Sequence, residues 1–207
     1  NNGSQSFTSI NIDNTGGWAV KASDMDGDGD IDVLLGQNEP SNGTIQLFKN
    51  NGSQSWTNTS VTTAEAFPTS IFVIDLDQDG DNDFLCTSLS SNDESVYWYD
   101  NGQNNGSESF ERTLVATGIR GGRMVKAADI DKDGDIDVVT VSDTDDDVAW
   151  HENNGSQSFT ARQVDVESNP RSVFIADLNS DGHLDIVAAY EGADKVRWYK
   201  NDGAADP

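Results

Sequence analysis

Asp129-Ile130-Asp131-Lys132-Asp133-Gly134-Asp135-Ile136-Asp137 places an aspartate at every odd position of a nine-residue stretch, with glycine sixth. The same spacing stands at Asp24, Asp26, Asp28, Asp30 and Asp32 around Gly29, and at Asp75, Asp77, Asp79, Asp81 and Asp83 around Gly80. A fourth copy runs Asp177, Asn179, Asp181, Gly182, His183, Asp185. Carboxylates crowded within a few ångströms repel one another strongly. A hard cation such as Ca²⁺ takes six to eight oxygens at about 2.3–2.6 Å and removes that repulsion. Positions 1, 3, 5 and 9 offer side-chain oxygens, and position 7 a backbone carbonyl, so His183 can replace aspartate there. Glycine at position 6 permits the sharp turn, because it tolerates positive φ.

An EF-hand opens in the same way but needs a bidentate Glu at position 12. Here that position holds Leu35, Cys86, Thr140 and Ala188. The loop closes early, on an aspartate that starts a β-branched run. This excludes an EF-hand pair or a dockerin and fits a cation loop joining two strands.

The loops ride on a longer period. Asn1-Asn2-Gly3-Ser4-Gln5-Ser6-Phe7-Thr8 recurs at residues 50–57, 104–111 and 153–160, and begins again at Asn201. Between the loops and these turns lie short segments that are apolar or alternate at period two, such as Val96-Tyr97-Trp98-Tyr99. Four short strands per roughly fifty residues, with a turn every dozen, predict an all-β chain of four-stranded β-propeller blades, four per chain. The expected units are 13–60, 61–114, 115–163 and 164–201, with a strand from residues 1–12 completing the last. The first and third share Gly-Gly and Val-Lys-Ala. The second and fourth share Pro-X-Ser and an aromatic. This alternation points to duplication of a two-blade unit.

Inner strand, D-x-D-x-D-G-x-x-D loop and second strand together resemble the FG-GAP or VCBS-type repeats of integrin α-like propellers and many secreted bacterial proteins. The resemblance spans essentially the whole chain. It implies about four Ca²⁺ per chain, held by the aspartates named above and by Asn179 and the position of His183. It also implies an extracellular or cell-surface module for binding or adhesion, with a glycan or protein as ligand. Lectins and non-catalytic parts of polysaccharide lyases carry the same repeats. A lyase or hydrolase scaffold and a purely structural repeat are therefore the alternatives, with no catalytic activity expected.

Other residues carry weaker signals. Trp98, Trp150 and Trp198, with Leu47, share one strand position and are expected to pack between blades. Trp18, Arg123 and Arg171, with Thr69, precede each loop by six residues and are candidate ligand contacts at one mouth of a channel. Cys86 is expected to be small and buried, His151 to occupy an ordinary aromatic site, and Asp143 with residues 145–147 to form a solvated loop. A strand order beginning with the fourth strand leaves three readings, a four-bladed monomer, an eight-bladed ring from two chains or a fragment of a longer array, of which the homodimer is preferred. Asn1 in place of Met suggests a mature or excised product.

Charge agrees with this reading. The 207 residues carry 37 Asp and Glu against 12 Lys and Arg, a net −25. Such a balance argues against nucleic acid and against anionic membranes as partners, and no apolar run approaches the roughly 18 residues of a membrane span. Eighteen of the acids and one base, Lys132, fall in the four loops, which therefore hold −17 of the charge.

Overall fold

A computed structural model of the chain describes residues 7–37, 43–53, 55–62, 67–89, 94–102 and 109–203. These contain fifteen β-strands and no α-helix. The first sheet orders β1 (Gly17–Ser23), β2 (Asp32–Gln37), β3 (Ile45–Asn50) and β4 (Trp56–Thr62) as neighbours. The second contains β5 (Pro68–Ile74), β6 (Asp83–Ser88), β7 (Ser95–Asn101) and β8 (Phe110–Thr117). The third contains β9 (Gly122–Ala128), β10 (Asp137–Ser142), β11 (Asp147–Asn153) and β12 (Phe159–Val166). The fourth has three strands, β13 (Pro170–Ala176), β14 (Asp185–Tyr190) and β15 (Lys195–Tyr199). Every pairing is antiparallel between successive strands, so short turns suffice.

Alternation along each strand gives each sheet two apolar faces. One face of the first sheet, with Met25, Leu34, Ile45 and Leu47, packs on Ile71, Phe84, Cys86 and Tyr99 of the second. The second sheet's other face, with Leu85, Val96 and Trp98, meets Val125, Ala127 and Val138. The third sheet's other face, with Ile130, Val139 and Val148, meets Val173, Ile186 and Ala188. Three cores thus join four sheets in series, and none of them joins the fourth sheet to the first. Burial on both faces explains why β6 and β10 are buried along their whole length, whereas β4 is largely exposed.

The aromatic expectations divide by position. Trp98 is buried and Trp150 packs into the third core, but Trp198 is 51% exposed because no further sheet covers it. Cys86, the one cysteine of the chain, is buried. His151 is buried, and burial pushes its imidazole down to about 4. The segment expected to complete the fourth sheet, residues 1–12, is described only in part. Residues 1–6 lie outside the described residues, and residues 7–12 form no strand. Phe7 is 91% exposed. A strand needs a partner edge for its backbone groups, and the first sheet, which follows this segment, is stacked on the second. No described helix is long and apolar enough to cross a membrane.

Candidate metal centre

Each acidic loop links the innermost strand of a sheet to the next strand, and its local hydrogen bonds repeat. The carboxylate at position 1 accepts from the N–H of the glycine at position 6. The pairs are Gly29 to Asp24 at 3.0 Å, Gly80 to Asp75 at 3.1 Å and Gly182 to Asp177 at 2.8 Å. Position 5 accepts from the N–H of position 7, as in Asp30 to Asp28 at 2.8 Å and Asp135 to Asp133 at 2.9 Å. These Asx turns coil the loop around its own acids. The four glycines sit at φ between 90° and 102°. Position 4 is also left-handed, at Gly27 and, less expectedly, at Gln78, Lys132 and Ser180, with φ near 60°.

Three loops gather their acids. Oxygens of Asp24, Asp26 and Asp32 lie within 4.8 Å of one another, as do those of Asp75, Asp77 and Asp83, and of Asp129, Asp131 and Asp133. In each cluster one carboxylate oxygen is buried with no hydrogen-bond partner: Oδ1 of Asp26, Asp75 and Asp129. An unpartnered buried oxygen among like charges is costly unless a cation completes it. The donor set, all oxygen and mostly carboxylate, suits a hard divalent ion. Burial first, and neighbouring carboxylates with it, pushes Asp26, Asp77 and Asp131 above their ordinary range. Burial first, with a smaller push from Asp77 and Asp131 respectively, takes Asp83 up to about 7 and Asp137 up to about 6, against the backbone N–H groups that bind them.

Position 9 ties the loop to its sheet. Asp32, Asp83, Asp137 and Asp185 are fully buried. Each receives two backbone N–H groups, one from position 2 of its own loop and one from the asparagine that ends or follows the third strand. For Asp137 these are Ile130 at 3.1 Å and Asn153 at 2.8 Å, and for Asp83 Leu76 at 3.1 Å and Asn101 at 2.8 Å. The aspartate therefore latches loop to sheet. Asn101 extends the latch, since its Nδ2 donates to Met25 O in the first loop at 2.8 Å. Asn201 does the same to Ile130 O at 3.0 Å. The recurrence of asparagine at residues 50, 101, 153 and 201 was the available sequence signal for this tie.

Position 7 points elsewhere. Asp30 and Asp135 lie over Gly52 and Gly155, where an added Cβ would come within 2.5 Å of a carboxylate oxygen, and His183 lies against Gly203. Asp81 likewise stands outside the three-acid clusters. The fourth loop differs in its second shell of charge. Asn179 Nδ2 donates to Asp181 Oδ2 at 2.8 Å, and Lys200 Nζ pairs with the same oxygen at 3.2 Å. The His183 N–H and Asn179 hold Asp181 down at about 2. Among the described residues this loop gathers no three-acid group.

The candidate ligand contacts lie at the far ends of the inner strands. Arg123 and Arg171 converge on Asp143, Arg171 at 2.8 Å, and Arg171 also pairs with Glu191 at 2.5 Å. Thr69 donates to Gly122 O at 2.6 Å. Trp18 stands apart, half exposed and tilted 6.1 Å from Phe67.

The comparisons with known proteins bear on both fold and loops. No curated protein sequence matches the chain. Among solved structures, BBS1N, crystallised in complex with ARL6DN and soaked with lead, superposes with a TM-score of 0.55 at 10% identity, over 90% of this chain and 57% of that one. The V. cholerae biofilm matrix protein Bap1 gives a TM-score of 0.43 at 20% identity, over 88% of this chain and 30% of Bap1. The chain thus spans less than two thirds of either. The first likeness supports the all-β fold. The FG-GAP-like repeat matches three times, over residues 24–86, 75–140 and 129–188, each match running from one acidic loop through the next. With those matches covering most of its length, the chain belongs to the FG-GAP-like repeat family.

Proposed function

We propose that the four sheets are blades of a β-propeller and that the chain is a calcium-stabilised, non-catalytic module for binding or adhesion outside the cell. The observation that carries this is the set of buried, unpartnered oxygens of Asp26, Asp75 and Asp129 inside their carboxylate clusters. Calcium, when bound, supplies positive charge and oxygen coordination. The chain's residues do the rest. Positions 1 and 3 present carboxylates from a loop preformed by Asx turns, joined by position 9 in the first two loops and by position 5 in the third, and position 9 also latches each loop to its sheet. About four ions per chain are expected, the three acidic loops filling before the fourth, where Asn179 and Lys200 reduce the negative charge.

Loops of this kind, largely exposed, suit the millimolar calcium found outside cells rather than cytosolic levels. Carboxylates committed to a cation are poor acid–base catalysts, which favours a binding module over a lyase or hydrolase. The ligand is read as a glycan or protein met at the rim. Calorimetric titration with CaCl₂ tests the metal, with three tight sites per chain expected and absence of binding heat and of stoichiometry contradicting it. A glycan array run with and without calcium tests the ligand class.

A further inference from the structure

Two cavities sit at equivalent junctions, and only the smaller is closed by an aromatic from a fourth strand. Between the first and second sheets, about 210 Å³ is lined by Met25, Leu47, Lys49 and Thr59 on one side and by Asn101 and Phe110 on the other. Between the third and fourth sheets, the counterparts Ile130, Trp150, Glu152 and Arg162 face Asn201 across about 690 Å³. Pairing establishes the equivalence: Leu47 stands opposite Thr59, as Trp150 stands opposite Arg162. Phe110, the first residue of β8, closes the smaller cavity and packs 5.4 Å from Phe84. Phe159, at the same place in β12, packs into the second core. Among the described residues the fourth sheet has three strands, so the larger cavity has no such aromatic.

The residues that would fill it are in the chain. The sequence of residues 1–8 repeats that of residues 153–160, which places Phe7 as the counterpart of Phe159. Its side chain is nearly fully exposed. We propose that residues 7–12 of a second copy of this chain add to the free edge of β15 as its missing fourth strand, with Phe7 seated in the 690 Å³ cavity. The register follows β11 and β12, where Asn153 faces Phe159 and Trp150 faces Arg162. Phe7 then faces Asn201, Thr8 faces Lys200, and Ile10, exposed in the single chain, faces Trp198.

The same event closes a sheet junction. Val20 is 64% exposed on the outer face of the first sheet, whereas its counterparts Ile71, Val125 and Val173 are buried against the preceding sheet. On the outer face of the fourth sheet Val196 is 73% exposed, whereas Ile45, Val96 and Val148 are buried against the following one. These two open faces are the two halves of the junction made three times within the chain. Residues 13–16 between the donated segment and β1 match in length the four-residue link between β8 and β9. Donation by one copy therefore brings its first sheet onto the partner's fourth. A second copy is the occupant because the chain's own first sheet shares no core with its fourth. Two reciprocal donations give every sheet four strands and cover both open faces.

Two variants on a Cys86→Ala background test this, Thr8→Cys in one preparation and Lys200→Cys in another. Mixing them under mild oxidation should yield a disulfide-linked pair of about 45 kDa, twice the 22.3 kDa chain. Light scattering should give the same mass for the unmodified chain, and half of it for a chain lacking residues 1–12, whose folded sheets do not use that segment. A monomeric unmodified chain, or a double-cysteine chain that closes its disulfide within one polypeptide, would overturn the proposal.

Discussion

At the scale of single residues, the account rests on aspartates with two different duties. Asp137 is buried and holds two backbone N–H groups, so Asp137→Ala should cost about 2–4 kcal/mol by urea unfolding, and should do so in EDTA as well. Loss confined to calcium buffer would show that its duty is ligation alone. Backbone strain separates positions 4 and 6. Gly134 at φ 101° lies beyond the region other residues tolerate, so Gly134→Ala should destabilise by about 1–3 kcal/mol. Lys132 at φ 66° sits in the small left-handed well, so Lys132→Gly should shift stability by less than about 1 kcal/mol. Thermal melts of the two variants should rank them in that order. The glycine at position 6 was readable from the sequence. The left-handed Gln78, Lys132 and Ser180 were not, because their residue types carry no mark of it.

His151 provides the pH dependence. Its buried ring titrates near 4, well below its ordinary 6.5, so the unfolded chain binds the proton more readily. Stability from the neutral ring is complete above pH 6.5 and is lost as pH falls toward 4, by about 3 kcal/mol over that window. His151→Phe, which matches Phe48 at the same place, should flatten that part of a stability-against-pH curve relative to the unmodified chain. An unchanged slope would show that the ring is not held neutral.

At the scale of elements, the period of the acidic loops located the strands well, because turn and loop residues punctuate them so regularly. β5, β9 and β13 begin where the shared Pro or Gly-Gly signals stand. The ties between sheets were less legible, since they are single side chains reaching across sequence. Asn101 is buried, donates to Met25 O in the preceding loop and to Asn82 O in its own. Asn101→Ala should therefore cost about 1–3 kcal/mol and weaken calcium binding at the first loop more than at the third, measured by titration. Equal weakening at both loops would contradict a local tie. The rim arginines show the limit of alignment: equal spacing from the loops brought Arg123 and Arg171 together on Asp143, but left Trp18 on its own.

At the scale of the whole molecule, the sequence predicted four similar sheets but not where the series would stop being self-sufficient. Alignment assigns Val196 and Trp198 to the same core positions as Val148 and Trp150. Only the three-dimensional order reveals that nothing among the described residues covers them. The net −25 follows the same logic, since most of it is gathered into loops whose carboxylates face one another. On the proposed reading calcium there would both cancel charge and fasten the first strand of each sheet to its neighbour, so metal and fold should rise and fall together. The direct test is thermal unfolding of the chain in millimolar calcium and in EDTA at matched ionic strength. Calcium should raise the melting temperature by more than about 10 °C, with magnesium giving less. Equal melting temperatures in calcium and in EDTA would contradict the account.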